Sequence, residues 1–159
     1  MAVSIRLFQD DDISFLTRML YDALYVPEGE PAFSPDIVHL PEIRKYVDDF
    51  GEKAGDLCLI AEVEGSPVGA AWCRLMHGYG YVDDETPELS LAVSQEWRGN
   101  GIGTRLVLGL CDRLAQKGFS QVSLSCDDRN PAMRLYRRFG FQFVTPMEGH
   151  SKTMVKHLV

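Results

Sequence analysis

Between two regular segments, the chain reads Arg98-Gly99-Asn100-Gly101-Ile102-Gly103-Thr104. The residues before it, Glu88-Leu89-Ser90-Leu91-Ala92-Val93, alternate between two faces and predict a β-strand. A helix is predicted from about residue 101 to 117, because apolar side chains recur every fourth residue at Ile102, Leu106, Leu110 and Leu114. Glycines between a strand and a helix let the backbone approach a ligand, and free N–H groups gather at the positive end of the helix dipole. The loop therefore predicts a phosphate or pyrophosphate site, with a tight turn of no ligand function as the alternative.

Two common phosphate motifs do not match this loop. A Walker A loop ends in Gly-Lys-Ser/Thr, whereas this chain has Gly103-Thr104-Arg105. The dinucleotide fingerprint requires glycine where Thr104 stands, and no acidic residue follows about twenty positions later at a strand end. A nucleoside-triphosphate enzyme is thus disfavoured.

Length and composition indicate one soluble globular domain spanning residues 1–159. The chain has 45% hydrophobic and 25% charged residues and a formal net charge of −7. The acidic balance argues against nucleic-acid binding, which needs a basic face. No apolar run approaches the ~18–20 residues of a membrane span, and the first residues lack the apolar core of a signal peptide. With four widely spaced cysteines expected to be reduced and buried, we expect a cytoplasmic protein.

The charge is unevenly distributed along the chain. Residues 1–76 contain 6 basic and 14 acidic residues, a net charge of −8, and residues 77–159 contain 10 basic and 9 acidic residues, a net charge of +1. The first half therefore favours a cationic partner, and the second tolerates an anionic one. An acidic surface that only aids solubility is the alternative interpretation.

The remaining pattern predicts an α/β protein with a mixed sheet covered by helices, in the order βααβββαβαββ. The predicted strands cover residues 3–8, 57–63, 68–75, 88–93, 122–126, 141–144 and 153–159. Of the predicted helices, one carries Ile13, Leu16, Leu20 and Leu24, one covers 43–50, one covers 101–117, and a short one follows Asn130-Pro131. Residues 77–87 are predicted to form a loop.

Two motifs together resemble one known family. The glycine loop, written as Arg98-x-x-Gly101-x-Gly103, resembles the acyl-CoA-binding motif of the GCN5-related N-acetyltransferases (GNAT). The segment from Asp128 to Phe141 resembles the second half of that family's pattern, with Asn130 and Tyr136 at the matching spacing. The order of elements from residue 3 onward also matches, so the resemblance covers nearly the whole chain.

The resemblance implies a sheet of about seven strands and about four helices, in which the fourth and fifth strands splay apart to admit the pantetheine arm of acetyl-CoA. The pyrophosphate contacts carry over to the backbone N–H groups of Arg98, Gly99, Asn100, Gly101, Ile102, Gly103 and Thr104. Backbone groups of Leu91 and Val93 are expected to pair with pantetheine, and the Val93 N–H to bind the thioester carbonyl. Asn130 matches a cofactor-contacting asparagine; a helix N-cap is the alternative interpretation, and the two roles are compatible.

The resemblance also implies two catalytic residues. Tyr136 matches the tyrosine that protonates the departing CoA thiolate, and the alternative is an ordinary core tyrosine. Glu88 lies near the position of a catalytic glutamate in many relatives and shares one strand face with Ser90 and Ala92. The alternatives for the base are Asp83, Asp84 or Glu85, or water; the alternative for Glu88 is an exposed strand end.

The predicted function is therefore acetyl transfer from acetyl-CoA to a primary amine of a small molecule or peptide, by direct transfer in a ternary complex. No cysteine stands at a family position for an acyl-enzyme, and four scattered histidines give no expectation of a metal site. Acceptor selection in relatives falls on residues corresponding to about 21–36, 77–87 and 145–150. A homodimer is a common state of relatives. The alternative function is an acyl-CoA-binding regulator without turnover.

Overall fold

A computed structural model gives the structure of residues 2–144 and 148–158. These residues form four α-helices and seven strands. In chain order they are β1 (Val3–Leu7), α1 (Ile13–Ala23), α2 (Pro41–Arg44), β2 (Leu57–Val63), β3 (Ser66–Arg74), β4 (Glu88–Val93), α3 (Ile102–Gln116), β5 (Gln121–Asp127), α4 (Ala132–Arg138), β6 (Gln142–Phe143) and β7 (Ser151–His157). The predicted order of elements is confirmed.

The strands form one mixed sheet in the order β1-β2-β3-β4-β5-β7-β6. Its neighbouring strands are antiparallel except for β4 and β5, which run parallel. The parallel pair has a single register position, Glu88 opposite Ser123, whereas β5 and β7 are paired from Gln121 to Asp127. The sheet therefore opens between β4 and β5 beyond their first paired residues.

Each face of the sheet carries its own apolar core, because successive side chains of a strand point to opposite faces. On one face, Leu89 of β4 joins a cluster with α3 and α4 that includes Leu106, Leu110 and Tyr136. On the other face, Ala92 of β4 joins a cluster with α1 and the segment 43–50. Odd-numbered residues of β4 thus face α3 and α4, and even-numbered residues face α1.

The helix that follows the glycine loop agrees with its sequence pattern. Ile102, Leu106, Leu110 and Leu114 are all at most 1% exposed and lie in the same cluster. The predicted buried stripe of α3 is confirmed. In α1 the buried side chains are Leu16, Met19 and Leu20, whereas the predicted stripe residue Ile13 is exposed, because it lies in the first turn beyond the edge of the core.

The segment 43–50 is less helical than its spacing predicts. Helix α2 ends at Arg44, and the chain continues through turns in which Tyr46 and Val47 donate to carbonyls three residues earlier. Side chains of β3 compete for the carbonyl groups that a longer helix would use: the Trp72 indole N–H donates to the Tyr46 carbonyl, and Arg74 donates to those of Lys45 and Asp48. The apolar side chains of the segment are nevertheless buried as predicted.

All four cysteines, Cys58, Cys73, Cys111 and Cys126, are free and buried, as predicted. Burial raises the pKa of the Cys111 and Cys126 thiols to about 11, and it also raises the pKa of the other two. Within residues 2–144 and 148–158, no helix has the length and apolar character needed to cross a membrane.

Candidate active site

The glycine loop presents a row of unpaired backbone amides. Gly99 and Gly101 adopt left-handed conformations, with φ of 81° and 76°, which turn the chain into the first residue of α3. The N–H groups of residues 99–104 have no hydrogen-bond partner within the described part of the chain, whereas the Arg98 N–H donates to the Gln95 carbonyl at 3.3 Å. A Cβ atom at Gly99 or Gly101 would meet no protein atom within 4 Å, so the surface beside these two glycines is open. This arrangement can bind an anion through six amides at a helix N-terminus.

Next to this row, the edge of β4 that faces β5 has no paired strand residue after Glu88 within the described part of the chain. Toward β5, the Pro87 carbonyl accepts from the Ser123 N–H at 3.0 Å, and toward β3, the Ser94 N–H donates to the Val68 carbonyl at 2.8 Å. Because backbone groups alternate between the two neighbouring strands, the N–H groups of Leu91 and Val93 point toward β5, where the strands have separated. The edge can therefore hydrogen-bond an extended ligand that lies between β4 and β5.

Side chains connect the loop to this edge. The Arg98 Nε donates to the Val93 carbonyl at 3.0 Å, and the Asn100 Nδ2 donates to the Trp97 carbonyl at 3.0 Å. A Cβ built on Gly103 would lie 3.6 Å from a Leu91 methyl and 3.7 Å from a Leu135 methyl. The first turn of α3, the edge of β4 and helix α4 therefore surround one slot.

Asn130 caps helix α4, as its alternative interpretation predicts. Its Oδ1 accepts the Ala132 N–H at 3.0 Å, and its own carbonyl accepts the Met133 N–H. Six residues after Asn130, Tyr136 is 7% exposed, and its ring meets Phe141 edge to face at a centroid distance of 5.7 Å. Burial raises the pKa of Tyr136, so the phenol keeps its proton at neutral pH. Tyr136 thus combines a core position with the ability to donate a proton.

Glu88 is buried rather than exposed at its strand end. The side chain is 3% exposed, and Oε2 accepts the hydroxyl proton of Tyr46 at 2.5 Å. Oε1 is buried and has no hydrogen-bond partner among the described residues. Burial raises the pKa of Glu88, while the Tyr46 hydrogen bond, the Gly80 N–H and the charge of Lys45 oppose this shift. The carboxyl group can therefore gain and lose a proton nearer to neutral pH than an exposed glutamate.

The other candidate bases are engaged at the surface. Asp84 accepts from the Tyr81 hydroxyl at 2.7 Å and lies 2.9 Å from His77 Nε2. The Tyr81 hydrogen bond, with a further contribution from His77, lowers the pKa of Asp84. Asp83 accepts from the Thr86 hydroxyl at 2.7 Å and from the Glu85 N–H at 2.9 Å. The lowered pKa makes Asp84 a weaker base than an ordinary aspartate.

Glu88 and Tyr136 lie on opposite faces of the sheet and flank the opening between β4 and β5. The even-numbered residues of β4 share one face, as predicted, with Glu88 beside Tyr46 and Ala92 in the α1 cluster. Sequence reasoning missed Tyr46, because its spacing with Ile43, Val47 and Phe50 is that of a core residue. No local signal joins Tyr46 to Glu88, which follows it by 42 residues.

Two loops border the Glu88 side of the sheet. The Tyr21 hydroxyl donates to the Phe33 carbonyl, and the Tyr25 hydroxyl donates to the Arg129 carbonyl at 3.1 Å, so residues 24–34 reach the start of α4. Tyr79 of the loop 77–87 stacks on Tyr46 and is 59% exposed. Within the third predicted acceptor segment, 145–150, residues 145–147 lie outside the described residues.

The structure brings one histidine to two carboxylates, a proximity that the sequence spacing does not indicate. His150 Nδ1 lies 2.7 Å from an oxygen of Asp128, and Asp127 lies beside them. The Arg129 guanidinium binds both oxygens of Asp127, at 2.9 and 2.7 Å. The ion pair of Asp127 with Arg129 and the contact of Asp128 with His150 account for this group of side chains.

Comparisons with known proteins agree with this geometry. The family model described as the acetyltransferase (GNAT) family matches residues 18–141. The thialysine N-epsilon-acetyltransferase of Bos taurus is 33% identical over 157 residues, which cover 92% of this chain and 88% of that protein.

Solved structures with low sequence identity share the fold. The ribosomal-protein-S18-alanine N-acetyltransferase from Escherichia coli has a TM-score of 0.70 at 18% identity, covering 99% of this chain and 94% of the other. The PaiA N-acetyltransferase from Thermoplasma acidophilum, in complex with coenzyme A, has a TM-score of 0.67 at 19% identity, covering 99% of both chains. The seven-stranded mixed sheet and the family match lead to one conclusion: this chain belongs to the GNAT acetyltransferase family and is an acyltransferase.

Proposed function

We propose that this acyltransferase moves an acetyl group from acetyl-CoA to a primary amine of a cationic acceptor, by direct attack in a ternary complex. The observation that carries the proposal is the row of N–H groups at residues 99–104, which have no partner among the described residues and which adjoin the open edge of β4. Coenzyme A has a diphosphate that suits the amide row and a pantetheine arm with amide groups that suit the strand edge.

Each binding residue has a distinct task in this proposal. The N–H groups of residues 99–104 bind the diphosphate, and the side chain of Arg98 adds positive charge near it. The backbone of Leu91 and the N–H of Val93 bind the pantetheine arm, and the Val93 N–H also serves the thioester carbonyl. The Val93 carbonyl accepts one hydrogen bond from Arg98, whereas the Val93 N–H points toward the opening between β4 and β5. Asn130 contacts the cofactor from the start of α4.

The reaction requires a base, because an alkylamine of pKa ~10.4 is only about one part in 2,500 neutral at pH 7, a cost of about 4.6 kcal/mol. The amine nitrogen forms a bond to the thioester carbon, and the carbon–sulfur bond breaks. Glu88 accepts one proton of the ammonium group directly or through water, which gives the neutral amine, and later releases that proton to solvent. Tyr136 donates its phenolic proton to the departing CoA thiolate and is reprotonated by the second proton, which the attacking nitrogen loses as the amide forms. The raised pKa of Glu88 and the protonated phenol of Tyr136 both favour these roles.

Direct transfer is favoured over an acyl-cysteine intermediate. The thiolate is the nucleophilic form of cysteine, and burial raises the pKa of all four thiols. A buried thiol with a pKa of about 11, as at Cys126, is mostly unreactive at neutral pH.

The proposed acceptor is cationic, because the loops on the Glu88 side of the sheet are acidic. Glu28 and Glu30 lie on the loop 24–34, and Asp83, Asp84 and Glu85 lie on the loop 77–87. These charges raise the local concentration of a cationic amine. The similar protein from Bos taurus is named for acetylation of the ε-amine of thialysine, which is also a cationic alkylamine.

The test combines binding and turnover. Acetyl-CoA is expected to raise the melting temperature, and free CoA is expected to appear when thialysine, lysine, a polyamine or a lysine peptide is added. Stabilisation without CoA release from any amine would favour an acyl-CoA-binding regulator. Failure of acetyl-CoA to stabilise the protein would contradict the proposal itself.

A further inference from the structure

Tyr46 connects Glu88 to the loop that covers it. Its hydroxyl donates to Glu88 Oε2 at 2.5 Å and accepts the backbone N–H of Tyr79 at 2.8 Å. Its ring stacks on that of Tyr79 at a centroid distance of 6.4 Å and an interplanar angle of 16°. One side chain therefore fixes both the carboxyl group and the loop 77–87.

The backbone around Tyr46 is itself held by β3. The Trp72 indole N–H donates to the Tyr46 carbonyl at 3.2 Å, and the Arg74 Nη1 donates to the carbonyls of Lys45 and Asp48 at 2.9 and 2.6 Å. Arg74 is 1% exposed and binds both oxygens of Asp56. Because three neighbouring carbonyls accept from β3, the position of the Tyr46 hydroxyl is determined before any ligand binds.

Gly78 packs closely against the side chains of Tyr46 and Glu88. A Cβ built on Gly78 would lie 2.5 Å from both Glu88 Oε1 and the Tyr46 hydroxyl. The loop can therefore approach this closely only with glycine at that position. Glu88, Tyr46 and the backbone of residues 78–80 form one packed unit.

We infer that Tyr46 is a positioning residue for Glu88: its hydroxyl holds the carboxyl group in a fixed orientation while it also binds the loop 77–87. This inference rests on the proposed function, in which Glu88 is the base. Tyr46 touches Glu88 rather than the reacting atoms, so its contribution passes through the glutamate.

The other groups around Glu88 are a lysine at the rim of the site, a backbone N–H, polar side chains of β3 and β5, and apolar side chains of α1. Lys45 lies on the same segment, and its Nζ donates to the His77 carbonyl at 2.6 Å, so its charge acts from the rim of the site. The loop contributes the Gly80 N–H. Arg74 of β3 lies opposite Glu88, but it forms an ion pair with Asp56. Ser123 of β5 is the register partner of Glu88, and its buried hydroxyl has no partner among the described residues. Helix α1 contributes the apolar Leu16, Met19 and Leu20 to this core.

Loss of the Tyr46 hydroxyl is expected to change the pH at which Glu88 ionises. A hydrogen bond donated to a carboxylate favours the charged form, so its removal raises the pKa of the glutamate further above its ordinary value. In Tyr46→Phe the acid limb of the kcat/KM profile is expected to shift to higher pH by about one unit. At a pH on that limb, kcat/KM of the variant is therefore about tenfold lower than that of the parent. At high pH, where Glu88 ionises in both proteins, most of the activity returns.

A readout without any acceptor separates this inference from the proposed function. The Tyr46 hydroxyl stabilises the charged form of Glu88 more than its neutral form. Tyr46→Phe is therefore expected to lower the melting temperature more at pH 8 than at pH 5. In the Glu88→Gln background, the same substitution is expected to have an effect independent of pH. Val47→Ala is the matched control: Val47 is buried in the same segment and has no polar side-chain group, so its destabilisation is expected not to change with pH.

The outcomes are distinct. A pH-dependent effect of Tyr46→Phe that disappears in Glu88→Gln, together with the shifted kinetic limb, supports the inference. Equal melting losses at both pH values, or additive effects in the double variant, overturn it. Full activity of Glu88→Gln overturns the base assignment and the positioning role with it, even where the stability coupling is present. If Tyr46→Phe does not fold, Trp72→Phe tests the same pair through its backbone anchor, with a smaller shift in the same direction expected.

Discussion

Replacement of Gly101 by valine tests the amide row in the most informative way. Gly101 has a φ of 76°, and its neighbouring N–H groups are free. The left-handed conformation costs an ordinary L-residue about 1–2 kcal/mol, and a β-branched residue more. Because the loop has few other anchors, we expect it to relax and turn at least two N–H groups away from the diphosphate.

The magnitude follows from the hydrogen bonds that are lost. A hydrogen bond to a charged acceptor contributes about 1.5–3 kcal/mol, and two of them contribute about 3 kcal/mol at the low end. Since about 1.4 kcal/mol corresponds to a factor of ten, the Kd for acetyl-CoA is expected to rise by about a hundredfold or more. Isothermal titration calorimetry with acetyl-CoA measures this value directly.

Gly65→Val is the matched control for this prediction. Gly65 has a φ of 79° and nothing within 4 Å of a built Cβ, as at Gly101, but it lies in the β2–β3 hairpin. Both variants are expected to lose comparable stability, and only Gly101→Val is expected to lose affinity. Equal affinity of the two variants for acetyl-CoA would refute the reasoning.

Three further predictions follow from the same contacts. Tyr136→Phe is expected to lower kcat by about 10- to 1,000-fold with an unchanged Kd for acetyl-CoA, because only a proton donor is lost; unchanged turnover would assign the acid elsewhere. Because burial raises the pKa of Glu88 in the folded state, the glutamate contributes stability at low pH that is lost as the pH rises through that pKa. The melting temperature of Glu88→Gln minus that of the parent is therefore expected to increase from pH 5 to pH 8, and the variant is expected to lose the acid limb of kcat/KM. A difference in melting temperature that stays constant across this range would contradict the burial argument. Leu110→Ala is expected to lower the free energy of unfolding by about 2–5 kcal/mol, measured by urea denaturation, since Leu110 is fully buried; a loss below about 1 kcal/mol would contradict its place in the core.

The parts of the fold that follow from local pattern were predictable. The spacing of Ile102, Leu106, Leu110 and Leu114 fixes one face of α3, because a helix brings every fourth residue to the same side. The parity of β4 likewise places Glu88 and Ala92 on one face. Both arguments need only the geometry of a single element.

The interactions between distant segments were not predictable in the same way. The apolar residues of 43–50 have helical spacing, yet helix α2 ends at Arg44. Side chains of β3 donate hydrogen bonds to backbone carbonyls that a longer helix would use. The contact of Tyr46 with Glu88 depends on the register between that segment and β4, which no local pattern encodes. The approach of His150 to Asp128 depends in the same way on the pairing of β5 and β7.

The central claim is that the N–H groups of residues 99–104 bind the diphosphate of coenzyme A. A crystal structure of the protein with acetyl-CoA measures this most directly. We expect diphosphate oxygens within about 2.7–3.2 Å of several of these nitrogens, with the pantetheine arm against the free edge of β4. A bound acetyl-CoA whose diphosphate lies elsewhere, with the amides of residues 99–104 in water, would contradict the account.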